Sequence, residues 1–383
     1  MDVETFGLLN DAVARFVEQR LIPGEDAVER DDRVPDEIVR EMRELGLFGL
    51  SIPEVYGGLG LTMSEEASIL RTLCRASVAY RSVIGTTVGI GSQGIVIDGT
   101  EEQKQAWLPR LASGEIMSSF ALTEPDAGSD AASIVTRATR ENDVYHINGT
   151  KRFITNAPRA GVFTVMARSE DKPGAAGISA FLVSADTPGI SFGAPDKKMG
   201  QRGTITCDVI FDDVRVPAGA IIGGVPGQGF KTAMKVLDRG RIHMSAVATG
   251  MARRLVEESV RYASERKQFG KAIGEFQLVQ GLIADSWTDL LACEAIVDKV
   301  AAQFDAAGKA PLEAAAAKYF TSEAVGRVAD RAVQIFGGAG YMADYKIERF
   351  YRDVRLLRIY EGTSQIQQMI IARGALRAAA LNA

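Results

Sequence analysis

Apolar residues in the first third of the chain recur at helical spacing. The run from Val34 to Leu45 puts Ile38, Val39, Met42 and Leu45 on one stripe, with Pro35 opening a helix and Gly46 closing it. The same period over residues 1 to about 115 predicts an α-helical segment. From about 117 to 222 the pattern changes to short alternating or β-branched runs. Examples are Val144 to Thr155 and Val162 to Ala167, separated from their neighbours by Gly, Pro and Asp turns, and they predict a sheet domain. After Gly227-Gln228-Gly229-Phe230, Ala-rich amphipathic patterns resume around 241–266 and 276–307 and predict a helical bundle. The expected fold is therefore α+β: an N-terminal α-helical domain over 1–116, a middle β-domain over 117–222 and a C-terminal α-helical domain of four-helix-bundle type over 223–383. Gly89-Ile90-Gly91-Ser92-Gln93-Gly94 has the look of a phosphate loop, but it lies inside a helical pattern rather than after a strand, so it reads as helix packing.

At 383 residues the chain exceeds one typical core, in keeping with two or three subdomains. Its 46% hydrophobic and 24% charged residues are ordinary for a globular protein. A formal net charge of −5, with no dominant basic stretch, argues against a nucleic-acid partner. The acidic start Met1-Asp2-Val3-Glu4-Thr5-Phe6 does not resemble a signal peptide, and no apolar run is long enough to span a bilayer, so a cytoplasmic protein without a membrane partner is expected. Cys74, Cys207 and Cys293 are far apart and odd in number, which suits core residues better than disulfides or zinc ligands. His146 and His243 have no metal-ligand or nucleophile motif beside them, so no metal is expected and neither a zinc enzyme nor a triad hydrolase is indicated.

One carboxylate stands out. In Arg358-Ile359-Tyr360-Glu361-Gly362-Thr363-Ser364-Gln365-Ile366-Gln367, Glu361 lies between an aromatic residue and a glycine. Gly362 allows a sharp turn, and Tyr360 and Ile359 would exclude water and raise the carboxylate toward the working range of a general base. Taken alone, these residues fit a solvated Glu before a helix equally well. Other segments accompany it in order: Leu122-Thr123-Glu124-Pro125-Asp126-Ala127-Gly128-Ser129-Asp130, Lys151-Arg152-Phe153-Ile154-Thr155-Asn156, Glu265-Arg266-Lys267-Gln268-Phe269-Gly270, and Gln334-Ile335-Phe336-Gly337-Gly338-Ala339-Gly340-Tyr341. From about residue 10 to about residue 375 the chain resembles the acyl-CoA dehydrogenase family.

That resemblance implies an acyl-CoA dehydrogenase-like fold with FAD held between the sheet domain and the second helical set. The loop from Phe120 through Leu122, Thr123 and Gly128 to Ser129 matches the segment that presents backbone and small side chains to the flavin ring; a plain turn is the alternative. Phe153 and Thr155 match positions that stack on the flavin and bond near its N5, with Phe153 where many relatives have tryptophan. Arg266, Gln268, Phe269 and Gln277 match the surface that meets the pyrophosphate of a FAD bound by the neighbouring subunit, while a solvated charge run is the alternative for Arg266. Gln334, Gly337 and Gly338 match the glycine turn at the adenine end of the same FAD, and Thr363 and Gln365 match contacts beside the base.

The implied reaction removes hydrogen from the α and β carbons of an acyl-CoA thioester, with Glu361 as base and the thioester carbonyl held by the Glu361 backbone N–H and a flavin ribityl hydroxyl. Some relatives carry the base at the position of Gly240, which cannot serve. Asp238 and Arg241 match substrate-binding positions, as do Ser129, Tyr360 and Gly362; a helix-start ion pair is the alternative for Asp238 and Arg241. Arg81 stands where the glutaryl-CoA dehydrogenase branch has an arginine that pairs with the distal carboxylate of its substrate. Either it lines an anionic acyl pocket or it snorkels from a helix to solvent. Met199-Gly200-Gln201-Arg202-Gly203 lacks the Asp and Arg that often follow in relatives, so contacts from that loop are open. The expected partners are an acyl-CoA substrate, an electron-transferring flavoprotein and further copies of the chain in a homotetramer. An acyl-CoA oxidase and a non-catalytic flavin- or CoA-binding scaffold remain the alternatives.

Overall fold

A computed structural model describes residues 1–381 of the chain. The helical stripe of the first third forms α1 (Val3–Phe16), α2 (Ile22–Asp31), α3 (Asp36–Glu44), α4 (Met63–Leu73), α5 (Val78–Gly85), α6 (Gln93–Asp98) and α7 (Glu101–Ala112). Pro35 immediately precedes α3, and Gly46 follows it at a φ of +71°, a left-handed exit that glycine takes without strain. Capping boxes open α4 (Thr62 with Glu65) and α7 (Thr100 with Gln103). Between α5 and α6 a buried π-helical turn, Thr86–Gly91, carries the glycines that mimic a phosphate loop. A Cβ on Gly91 would lie 2.1 Å from Ser118 Oγ, so that glycine serves close packing against the sheet.

The middle segment forms β1 (Met117–Ala121), β2 (Arg137–Glu141), β3 (Val144–Thr155), β4 (Ala160–Arg168), β5 (Ile178–Ser184), β6 (Ile190–Phe192) and β7 (Thr206–Pro217). They make one sheet in the order β1-β4-β2-β3-β7-β6, with β5 also on β4. Its core holds Tyr145, Phe163, Phe181 and Cys207, and the Tyr145 and Phe181 rings meet edge-on at 5.1 Å. Cys74 and Cys293 are buried as well.

The last third forms α8 (Gly229–Glu265), α9 (Gln277–Ala307), α10 (Pro311–Phe336), α11 (Ile347–Val354) and α12 (Ser364–Leu381), with α10 packed on α8, α9 and α12. Helix α8 starts at Gly229 and not near 241, and it is 37 residues long. The charges at Lys231, Lys235, Asp238, Arg239 and Arg241 and the internal Gly240 obscure its period in the sequence. Tertiary contacts supply the start: a Cβ on Gly229 would lie 2.2 Å from Ala180 N, and Thr232 donates to Asp98 Oδ2 at 2.6 Å. Asp238 and Arg241 therefore form a mid-helix pair, not a helix-start pair. Among the described residues, no helix is long and apolar enough to cross a membrane.

Two contacts fix the sheet against the helices beside the future site. Asn156, at the left-handed end of β3, donates to Ser82 O at 2.7 Å and Thr86 Oγ1 at 3.0 Å. Lys151, fully buried, donates to Glu124 Oε1 at 2.7 Å and to Leu122 O at 3.0 Å; the Thr136 N–H shares Glu124 Oε1, and the Val135 N–H takes Oε2. The loop after β1 is thus pinned to β3 by a buried ion pair whose remaining lone pairs are satisfied. Removing the cation alone would strand a buried carboxylate, so Lys151→Met is expected to cost about 3–5 kcal/mol of stability in denaturant titration. The double variant Lys151→Met/Glu124→Leu should recover much of that loss; equal midpoints for the single variant and the parent would refute the clamp.

Candidate active site

Two adjoining cavities, of about 400 and 640 Å³, open where the ends of β1 and β3 face α5, α8 and the turn before α12. Both are lined by Thr123, Gly128, Ser129, Phe153, Thr155, Tyr360, Glu361 and Gly362. Arg81, Phe120, Leu122 and Arg241 line the first, and Thr363 lines the second. Segments separated by hundreds of residues in the sequence therefore converge on one space.

The register of β3 slips between Lys151 and Ile154, and Phe153 sits in that irregularity at a φ of +58°. This turns a large aromatic ring outward, 57% exposed at the cavity, with the Arg152 guanidinium 4.8 Å from its centroid. A Cβ on Gly128 would meet nothing of this chain, so that loop leaves open space beside the ring.

Glu361 is the second left-handed residue of the site, at a φ of +53°, followed by Gly362 at +91°. Although the residue as a whole is partly exposed, its Oε2 is shut off from solvent and has no hydrogen-bond partner. Burial pushes its carboxyl above the ordinary range, opposed by the positive charges of Arg81, Lys318 and Arg241. Gly240 makes the room, since a Cβ there would lie 2.6 Å from Glu361 Oε2. The expectation that Ile359 seals the carboxylate fails, because Ile359 is 48% exposed; the cover comes from Tyr360 and the α8 backbone at Gly240. The Tyr360 hydroxyl is likewise buried without a partner. Among the described residues, the Glu361 N–H donates to no other group of the chain.

Arg81 does not snorkel. It is 6% exposed on α5, in a slot cut by Gly85, where a Cβ would lie 2.7 Å from the guanidinium carbon. Its Nε–H donates to His243 Nε2 at 3.0 Å, and His243 Nδ1 meets Glu66 Oε1 at 2.6 Å, with Arg239 on the other Glu66 oxygen. Burial and the Arg81 charge push His243 down to about 4, so it is neutral, donating to Glu66 and accepting from Arg81. Arg241 pairs with Asp238 at 2.5 Å, and burial raises the Asp238 carboxyl.

The remaining residues of the sequence reading lie elsewhere. Arg266, Gln268, Phe269, Gln277, Gln334, Gly337, Gly338 and Gln365 are exposed and line neither cavity. Gln201 and Thr204, from the loop without the usual Asp and Arg, do line the first cavity. That loop is held by the Gln201 N–H on the Asp353 carboxylate, whose burial pushes it up to about 7. Lys318, Glu66, Glu124 and Lys151 are not among the residues that the sequence marks out for the site. Lys318 had a visible signal, a lysine on the Ala314-Ala317-Thr321-Ala324 stripe of α10, where a charge demands a buried partner.

Comparison with known proteins matches the N-terminal domain of acyl-CoA dehydrogenase over residues 4–115, the middle domain over 119–214 and the C-terminal domain over 227–376. The chain is 41% identical to a 3-(aryl)acrylate reductase of Clostridium sporogenes over 98% of this chain and 99% of that protein. It is 40% identical to the CarC subunit of the caffeyl-CoA reductase-Etf complex of Acetobacterium woodii, over 91% of each chain. The structure of an acyl-CoA dehydrogenase complexed with FAD from Bacillus anthracis superposes with a TM-score of 0.93 at 34% identity, covering 100% of this chain and 68% of that one. Helical, sheet and helical parts, in the family's order and around one cavity, make the chain a member of the acyl-CoA dehydrogenase family, FAD-dependent oxidoreductases acting on the CH–CH group of acyl-CoA thioesters.

Proposed function

We propose that Glu361 is the base that takes the α proton of the thioester, and the observation that carries this is its buried, unbonded Oε2 facing the open α8 backbone at Gly240. Such an oxygen can accept a proton without first surrendering a hydrogen bond. The Glu361 N–H, free of acceptors among the described residues, would bind the thioester oxygen as enolate charge develops. Tyr360, Gly362 and Ser129 would shape the space around the reacting carbons. Arg241, its charge partly offset by Asp238, would sit at the entry of the thioester arm.

The cavity fits a flavin: the outward Phe153 ring, the open space at Gly128, and the Ser129, Thr123 and Thr155 side chains form a wall suited to a planar ring, extended by Phe120 and Leu122. FAD bound there supplies the hydride acceptor. Arg266, Gln268, Phe269, Gln277, Gln334, Gly337, Gly338 and Gln365 would meet the FAD of a neighbouring subunit, with Thr363 beside the base, which calls for an oligomer, a homotetramer in our reading. The exposed Phe269 (94%), Leu278 (88%) and Leu291 (60%) support such a contact. The Etf complex to which the Acetobacterium woodii relative belongs supports an electron-transferring flavoprotein as electron partner.

A second reading concerns the acyl chain. Arg81 lines the cavity while its closest polar partner is a neutral imidazole, so its charge is left to attract a ligand; an acyl group with an anionic or strongly accepting end would supply that.

Glu361→Gln should retain fold and FAD yet lose anaerobic bleaching by acyl-CoA by at least about 10²-fold. Near-normal bleaching would move the base elsewhere. In the parent protein the bleaching rate should fall as pH drops through the Glu361 pKa, at a pH above the ordinary glutamate value of about 4.3. Gly240→Ala should keep bound FAD but slow bleaching at least about tenfold, since the added methyl displaces the carboxylate from its position; parent-like kinetics would show that the site yields freely. With a panel of neutral and ω-carboxylyl CoA thioesters, the parent should favour the anionic chain and Arg81→Met should lose that preference, whereas an unchanged profile removes Arg81 from the acyl pocket.

A further inference from the structure

Lys318 lies in the middle of α10, on its buried face, only 1% exposed. Among the described residues no carboxylate comes within ion-pair distance of its Nζ. Its single hydrogen bond there goes to a backbone carbonyl, Gly362 O, at 2.6 Å. That carbonyl belongs to the left-handed pair Glu361–Gly362, and Gln367 Nε2 on α12 donates to Glu361 O and again to Gly362 O, each at 3.1 Å. Two donors from two helices therefore hold both carbonyls of the turn that carries the candidate base. A neutral donor would suffice for the hydrogen bond, and a buried ammonium is a costly way to make it, so the charge itself calls for an explanation.

We propose that Lys318 is a positioning residue for the reaction: its buried ammonium holds the Glu361–Gly362 turn through the Gly362 carbonyl and sets a positive field on the Glu361 carboxylate from the α10 side. This rests on the reading of Glu361 as the base. The cations facing Glu361 are Arg81 from α5, Arg241 from α8 and Lys318 from α10. The charge of Arg241 is offset by Asp238, and Arg81 is braced by His243 and, through it, by Glu66. Facing Lys318 are Glu361, Arg241 and Glu323, the last already engaged by Ser364 and Arg358. Burial pushes the Lys318 ammonium down to about 8, opposed first by the Glu361 charge, so the two groups feel one another.

The direction of the effect follows from the signs. Burial alone would drive Glu361 to the neutral acid, useless as a base near neutrality; a nearby cation favours the ionised form and so brings the carboxylate back within working range. Lys318 does not line either cavity, so it acts through Glu361 and not on the substrate.

The test is a titration of the carboxyl itself in the FAD-loaded protein. The C=O stretch of protonated Glu361 is identified by infrared difference spectroscopy as the band absent from Glu361→Gln, then followed against pH in the parent, Lys318→Gln and Lys318→Arg. Lys318→Gln keeps a donor for Gly362 O and loses the charge; its midpoint should rise by about one pH unit or more. Lys318→Arg should stay within a few tenths of the parent. An unshifted midpoint in Lys318→Gln overturns the proposal.

Should Lys318→Gln not fold, the reciprocal measurement decides. In Glu361→Gln the Lys318 midpoint, read by NMR of Cε-labelled lysine and assigned by the signal missing in Lys318→Arg, should fall relative to the parent, because coupling between two sites is mutual. No fall overturns the proposal. Neither readout depends on turnover, so retained bleaching in Glu361→Gln would remove the base assignment while leaving the coupling result to stand or fall separately.

Discussion

A single carboxylate oxygen, buried and bonded to nothing, sets the terms for the architecture around it. Left without a hydrogen bond, an ionised group in such a place relies on nearby positive charge to offset its burial. The protein brings that charge from three helices, with Arg81, Arg241 and Lys318 on α5, α8 and α10. Each cation is held by something other than Glu361: a neutral imidazole, an aspartate and a backbone carbonyl. These charges offset part of the burial cost of the anion while its lone pairs stay available for a proton.

The sheet contributes through two more buried polar contacts. Lys151 and Glu124 tie the strand that presents Phe153 to the loop that presents Gly128 and Ser129, so two walls of the cavity share one clamp. Asn156, three residues after Phe153, anchors the same strand to α5, the helix that carries Arg81. Moving the aromatic wall would therefore also disturb the guanidinium. These pairings explain why the sequence segments Leu122 to Asp130 and Lys151 to Asn156 accompany each other.

Periodicity in the sequence revealed the alternation of helix, sheet and helix, because each third buries one stripe or face. It missed the first turns of α8, since charges and glycines interrupt the apolar positions there and contact with β5 and Asp98 fixes the start. Glu361 was legible because Gly362 and Tyr360 mark the turn and the accompanying motifs mark the family. The fate of Arg81 was not legible. An arginine in an apolar helix can run to solvent or stay inside, and the deciding residues, Gly85 and His243, lie on a different turn and a different helix. Lys318 could have been suspected from its place on an alanine stripe, yet its partner is a main-chain oxygen 44 positions away, and backbone acceptors leave no mark in a sequence.

The space above Gly240 has a consequence for how this sequence can change. Because a Cβ at 240 would lie 2.6 Å from Glu361 Oε2, any residue there other than glycine obliges that carboxylate to shift, and the two positions are coupled. A chain that gained an acid at 240 while keeping the one at 361 would crowd two carboxylates into that space, and like charges so close disfavour ionising both. What residue 240 can be is thus coupled to where the carboxylate of residue 361 sits.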